Sequence, residues 1–117
     1  MDTIRVIRLL PGQPPELADI PKGLEALQKE VGGYIDVLGL KPGVDAIVND
    51  EGLLDGLPFN RMLPSSYGKR MVPLVGPIII AAHDDEGETV SLTTAQVAEW
   101  MAVPAVVDLF PSPVAEA

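Results

Sequence analysis

Apolar and polar residues alternate from the first residues of the chain. From Thr3 to Leu10, Ile4, Val6 and Arg8 share one face of an extended segment, and Arg5, Ile7 and Leu9 share the other. This period of two predicts a strand. Pro11-Gly12-Gln13-Pro14-Pro15 ends it, because proline cannot donate to a ladder. Glu16 to Ile20 is expected as a second short extended piece. Asp19 and Pro21 then have the look of a helix start, a capping side chain close to a first-turn proline. Leu24, Leu27 and Val31 follow at helical spacing, with Lys22, Glu25, Lys29 and Glu30 mostly on the other side. Gly32-Gly33 closes that helix.

Branched and aromatic residues from Tyr34 to Leu40 predict the next strand. Lys41-Pro42-Gly43 turns it back into Val44 to Asn49, and Asp50-Glu51-Gly52 makes another turn, after which Leu53 and Leu54 are expected to begin a short strand. Leu57 to Arg70 shows no period and is expected to be irregular, with Pro64 to Gly68 its most exposed portion. Ile78-Ile79-Ile80-Ala81-Ala82 is apolar at every position, the mark of a central strand covered on both faces. Thr89 to Leu92 is expected to pair briefly. Thr93 with Gln96 forms a capping-box signature for a last helix, in which Trp100 is expected in the core or in a patch for self-association, and Pro104 stops it. This order predicts an α+β fold: a mainly antiparallel sheet of about four to six strands with two helices packed on one side. Residues 1–103 are expected to form a single α+β domain and residues 104–117 a proline-containing tail, loosely docked or disordered.

Composition narrows the chemistry. The chain has no cysteine, which removes disulfides, thiolate metal sites and cysteine nucleophiles. A single histidine, His83, rules out multi-histidine metal sites, and its place before an acidic loop predicts a surface pair with an acid. Ser65-Ser66 lacks a nucleophile-elbow context, and no glycine-rich phosphate loop carries a lysine. Neither a signal peptide nor an apolar run long enough to span a bilayer is evident, so a cytoplasmic protein with no membrane partner is expected. The net charge of −9, from 17 acids and 8 bases, argues against direct nucleic-acid binding. Scattered acids chiefly favour solubility, and they leave room for a basic protein partner.

The segment Val44 to Arg61 concentrates directional polar groups among glycine, proline and bulky apolar residues. Asn49, Glu51, Asn60 and Arg61, with Tyr34 near them, are the candidate ligand-binding residues. Arg61 offers a planar fork for a phosphate or carboxylate, and each asparagine can donate and accept. The competing account is architectural: Asn49 and Asn60 cap turns, and Arg61 pairs with Glu51 or Asp55. Asp50, Glu51 and Asp55, like Asp84 to Glu88, are more often solvated turns than metal ligands. No catalytic residue, metal ligand or cofactor is expected.

Leu24-Glu25-Ala26-Leu27-Gln28 running into Val31-Gly32-Gly33-Tyr34-Ile35 resembles the opening of the DUF3846 family, small uncharacterised domains of bacteria, phages and mobile elements. The resemblance continues through Asn49-Asp50-Glu51-Gly52, Leu57-Pro58-Phe59-Asn60-Arg61 and Gly76-Pro77, and covers about Ile4 to Trp100. The setting it implies, together with the polar stretch, leads to the expectation of a non-enzymatic module binding a small anionic or nucleotide-like molecule. Sequestering a host signal would suit that setting, and a small homo-oligomer is compatible with it. The alternatives are an acidic protein–protein adaptor or inhibitor that mimics nucleic acid, and a metal-dependent hydrolase using Asp50 or Glu51.

Overall fold

The computed structural model describes residues 2–66 and 70–102. The expected tail, with Pro104, and Tyr67 and Gly68 lie outside them. Strand β1 (Thr3–Leu9) pairs antiparallel with β2 (Glu16–Pro21), and helix α1 (Leu24–Val31) follows. A hairpin of β3 (Ile35–Lys41) and β4 (Val44–Asn49) comes next, then a second hairpin of β5 (Phe59–Pro64) and β6 (Met71–Val75). The last described elements are β7 (Ile78–His83), β8 (Thr89–Val90) and helix α2 (Thr94–Met101). The large sheet runs β2-β1-β7-β4-β3, with β8 attached to β7, and β5-β6 is a separate ribbon. Every pairing is antiparallel, so the fold is α+β, as expected.

Strand β7 shows why an unbroken apolar run belongs at the centre. It pairs with β1 on one side and β4 on the other, and its side chains alternate between two cores. Ile78, Ile80 and Ala82 join Ile7, Leu9, Leu63, Leu74 and Trp100, while Ile79 and Ala81 join Ile4, Val6, Leu27, Val31 and Ile47. The helices therefore cover opposite faces of the sheet rather than one side. Helix α1 contributes Leu27 and Val31 to one core, and α2 contributes Trp100 to the other, beside the β5-β6 ribbon. A central strand apolar on both faces needs a cover on each, and one helix per face with the added ribbon supplies it.

Three local expectations give way to tertiary pairing. Asp19 and Pro21 belong to β2, not to a helix start, because β2 stays in register with β1 as far as Thr3 opposite Pro21. Asp19 accepts from Arg5 Nε across that pair at 3.2 Å, and α1 begins after Gly23 without a side-chain cap. Leu53 and Leu54 lie in a series of turns, not a strand. The stretch expected to be irregular forms the β5-β6 ribbon, with Ser65 buried at its end. Pro64 and Pro73 sit inside these strands, which a two-stranded ribbon tolerates because each strand keeps one unpaired side. The helix ends follow the sequence closely. Gly32 takes the left-handed conformation (φ 82°) and donates to Gln28 O at 2.8 Å, and Thr93 and Gln96 close a reciprocal capping box.

Surface ion pairs such as Arg5–Asp19 and Lys41–Glu99 contribute at most about 1 kcal/mol each. Each fully buried Leu or Val contributes roughly 1.5–3 kcal/mol, so apolar burial sets the order of stability. Among the described residues no helix is long and apolar enough to cross a membrane. Replacing buried Leu27 with Ala is expected to cost about 2–4 kcal/mol in urea unfolding, against under about 0.5 kcal/mol for Leu24→Ala on the exposed side of the same helix. Equal losses would show that α1 does not bury the Leu27 face.

Candidate functional site

The polar stretch after β4 folds as consecutive turns. Asn49 is the pivot: its Oδ1 accepts from Glu51 N–H at 2.7 Å, and its Nδ2 donates to Val31 O at 3.1 Å, tying the turn to the end of α1. Asp55 N–H donates to Glu51 O, and Leu57 N–H to Gly52 O, both at 2.9 Å. The chain then returns close against the end of β6. A Cβ at Gly52 would stand 2.8 Å from Val75 Cγ2, and one at Gly76 would stand 2.7 Å from Leu57 Cδ1. Glycine at both places lets the turn and the ribbon touch. Gly76, at φ 72°, also occupies backbone space that other residues avoid.

This contact leaves Leu53 and Leu54 projecting, 83% and 86% exposed. Together with Val48 of β4 and Pro73, Leu74 and Val75 of β6 they line a cleft of about 380 Å³. Asp36, Asp50 and Glu51 supply its polar lining. A neighbouring hollow of about 300 Å³ shares Asn49 and Glu51 with the cleft and adds Tyr34, 74% exposed, and Asp55. No described lysine or arginine lines either one. Among the described residues, none of Asp36, Asp50, Glu51 and Asp55 makes an ion pair, whereas Arg5, Arg8, Lys22 and Lys41 are each held by an acid. The cleft is apolar inside and negative at its rim.

Of the five residues singled out in the sequence, Tyr34, Asn49 and Glu51 come together here, and Asn60 and Arg61 do not. Those two lie inside the molecule, each 1% exposed. Adjacent residues of a regular strand point to opposite faces. Here the register shifts between Phe59 and Arg61, so Asn60 is the extra residue of a bulge and both side chains turn inward. Asn60 Nδ2 donates to Leu9 O at 2.9 Å and to Gly76 O at 2.7 Å, and its Oδ1 accepts from Arg61 Nε at 2.8 Å. Arg61 Nη2 donates to Gln13 O at 2.6 Å and Leu10 O at 3.2 Å, so the guanidinium is held by backbone carbonyls rather than by Glu51 or Asp55. Its Nη1 is buried with no partner among the described residues. Burial lowers the Arg61 pKa from its ordinary value, because desolvation penalises the charged form. Arg8 moves the other way, raised chiefly by its hydrogen bond to Glu30.

The remaining candidates resolve simply. His83 Nδ1 lies 2.7 Å from Asp45 Oδ2, an acid partner as expected. Asp84 Oδ1 accepts from the backbone N–H groups of Glu86 and Glu88, so the acidic loop is a self-bonded turn. Among the described residues no group of three or more His, Cys, Asp or Glu is placed to hold a metal ion. The sequence pattern did not single out Leu53 and Leu54 as site residues, nor Asp36. The signal available was a pair of leucines between two turn-forming stretches with no alternating partner, a poor start for a strand.

A family model described as a domain of unknown function, DUF3846, matches residues 4–104. The chain belongs to the DUF3846 family. No curated protein and no solved structure matches it. The family span covers both sheets and both helices, so the cleft and the Asn60–Arg61 cluster both lie within the DUF3846 domain.

Replacing Arg61 with Met keeps an apolar stem of similar length and takes the Arg61 donor from the buried Asn60 Oδ1 and from Gln13 O, while Leu10 O keeps its bond from Gln13 N–H. With a cost of roughly 1–3 kcal/mol for a buried polar group left unpaired, the expected loss is about 1–3 kcal/mol in urea unfolding. Faster amide exchange is expected at Gln13, whose N–H donates to Leu10 O. A loss below about 0.5 kcal/mol, the range of an ordinary surface substitution, would show that the clamp is not structural.

Proposed function

We propose that this DUF3846 domain is a non-enzymatic protein-binding module whose cleft takes a segment of a partner protein rich in basic and apolar residues. The observation that carries the proposal is an apolar cleft flanked by exposed Leu53 and Leu54 and rimmed by carboxylates without ion pairs. Exposed leucines side by side expose apolar area at a cost that a docked partner removes. Unpaired carboxylates attract cationic side chains, speed encounter and disfavour acidic competitors. A phosphate or nucleotide-like ligand meets the opposite conditions. It would face the carboxylates, and Arg61, the cation expected to hold it, faces the protein interior. The acidic adaptor or inhibitor is thus the form of binding module that the chemistry favours, and blocking a basic surface on the partner is the action that suits it.

A labelled peptide of about nine residues alternating lysine and valine tests the proposal, with a glutamate–valine peptide as its control. The basic peptide is expected to bind. Its affinity should fall about tenfold, near 1.4 kcal/mol, on Leu53→Ser or on the double change Asp50→Asn with Glu51→Gln. Affinity should also weaken steeply as ionic strength rises from about 0.01 M to about 1 M, where the Debye length shrinks from roughly 30 Å to roughly 3 Å. Asp85→Asn, in the loop away from the cleft, should leave affinity unchanged. Equal binding of both peptides, or equal loss on Asp85→Asn, would reduce the effect to general charge attraction and overturn the assignment, as would no binding.

A further inference from the structure

We infer that the partner segment docks in extended form, as an added strand along the free edge of β3, with alternate side chains turned toward the cleft. The inference rests on the proposed role of the cleft and adds the mode of docking. Its first ground is the topology. Strand β3 is the last strand of the large sheet, and no described strand lies on its outer side. Asp50 N–H donates to Tyr34 O, so the backbone groups of Tyr34, and in alternation those of Asp36 and Leu38, face β4. Those of Ile35, Val37 and Gly39 therefore face outward, as the bond from Ser66 N–H to Gly39 O at 2.9 Å confirms for Gly39.

The two edges of the sheet are defended differently. At β2 the prolines Pro14 and Pro15 precede the strand and Pro21 closes it, so fewer N–H groups are on offer. Strand β3 has no proline. Its outward groups are engaged at Gly39 O, by Ser66, and at Val37 N–H, which donates to the Asp36 carboxylate at 2.9 Å. The Ser66 contact blocks one end of the edge and confines an added strand to Tyr34–Leu38. The Asp36 contact is of another kind, a flexible carboxylate that a lysine or arginine of the incoming strand can draw away, releasing the Val37 N–H for the new ladder.

Side-chain direction links this edge to the cleft. Asp36 pairs with Val48, and antiparallel partners share a face, so both side chains stand on the face where the cleft lies. A strand beside β3 places every second residue on that face, next to Asp36 and within the field of Asp50 and Glu51. This selects alternating basic residues for that side and explains how one segment can use main-chain bonds for affinity and the acidic cleft for specificity. A second copy of this chain is the wrong occupant, because each molecule carries a net charge of −9 and would bring its own Asp36 to the same edge.

The experiment uses the full chain and the lysine–valine peptide, in plain form and with alternate backbone nitrogens methylated. Amide exchange followed by NMR is expected to slow about tenfold or more at Ile35 and Val37 when the plain peptide saturates the protein. One methylated register should bind about tenfold more weakly, and the other, with its methyl groups turned to solvent, should bind as the plain peptide does. Val37→Pro, which removes an outward N–H without touching the β4 ladder, should weaken binding similarly while the circular dichroism spectrum is retained. If the plain peptide binds and perturbs Leu53 and Leu54 but leaves the Ile35 and Val37 amides unprotected, the added strand is overturned and the cleft assignment stands. Equal affinity of both methylated registers with the plain peptide also overturns it. Protection that instead rises with protein concentration in the absence of peptide would make a second copy the occupant and likewise overturn it. Absence of any peptide binding overturns both proposals.

Discussion

A positive charge held inside the protein by carbonyl oxygens ties the β5-β6 ribbon to the rest of the molecule. Arg61 and Asn60 bond to the stretch from the end of β1 into the loop after it and to Gly76, two separate parts of the chain. A guanidinium is costly to bury, and the cost is tolerable because its donors meet fixed acceptors and because it is less strongly hydrated than an ammonium. The result is directional in a way that apolar packing is not. Leu63 and Leu74 press the ribbon against the sheet, while the clamp determines where along the sheet it sits. The ribbon carries Pro73 and Val75, so that position also fixes one wall of the cleft.

The charges of the chain divide by role. Arg8 is drawn between Glu30 and Glu16, Arg5 meets Asp19, Lys22 meets Glu88, and Lys41 meets Glu99, each joining one element to another across the surface. Arg61 is spent in the interior. Most described bases are thereby committed within the fold, and the excess of acids falls to the turns after β4 and β7. After β7 the leading acid, Asp84, bonds its own turn. After β4 the pivot is neutral Asn49, which makes the corresponding turn bonds itself and leaves Asp50 and Glu51 without ion partners. A net charge read from composition becomes a local field through this difference in which side chain closes the turn.

Legibility in the sequence tracks the range of the interactions involved. Elements determined by local chemistry were readable: the Thr93–Gln96 box, the Gly32 stop, the Pro42-Gly43 hairpin and the doubly buried run at β7. Elements determined by a partner far along the chain were not. Asp19 and Pro21 carry a helix-start pattern, and the pairing of β2 with β1 overrides it. The β5-β6 ribbon contains prolines and lacks clean alternation, since one bulged residue brings Asn60 and Arg61 to the same side. That bulge also explains why the candidate site was legible only in part. Polar residues at strand ends look alike in sequence whether they face solvent or the interior, and only the register separates Asn49 and Glu51 from Asn60 and Arg61.

The fold presents its open edge and its acidic cleft in the same place for a topological reason. The large sheet has its edges at β2 and β3. The connection after β4 must leave the sheet beside β3 to begin the ribbon, and the turns it makes there hold Asp50, Glu51, Leu53 and Leu54. The clamp holds the start of the ribbon at the end of β1, β6 lies against β4, and Ser66 just past β5 reaches Gly39 at the outer edge of β3. The turn series between Asn49 and Leu57 is fastened by Gly52 against Val75 and by Leu57 against Gly76. Edge, cleft and carboxylates are thus consequences of one connection, and a partner that uses all of them together has to be extended along β3.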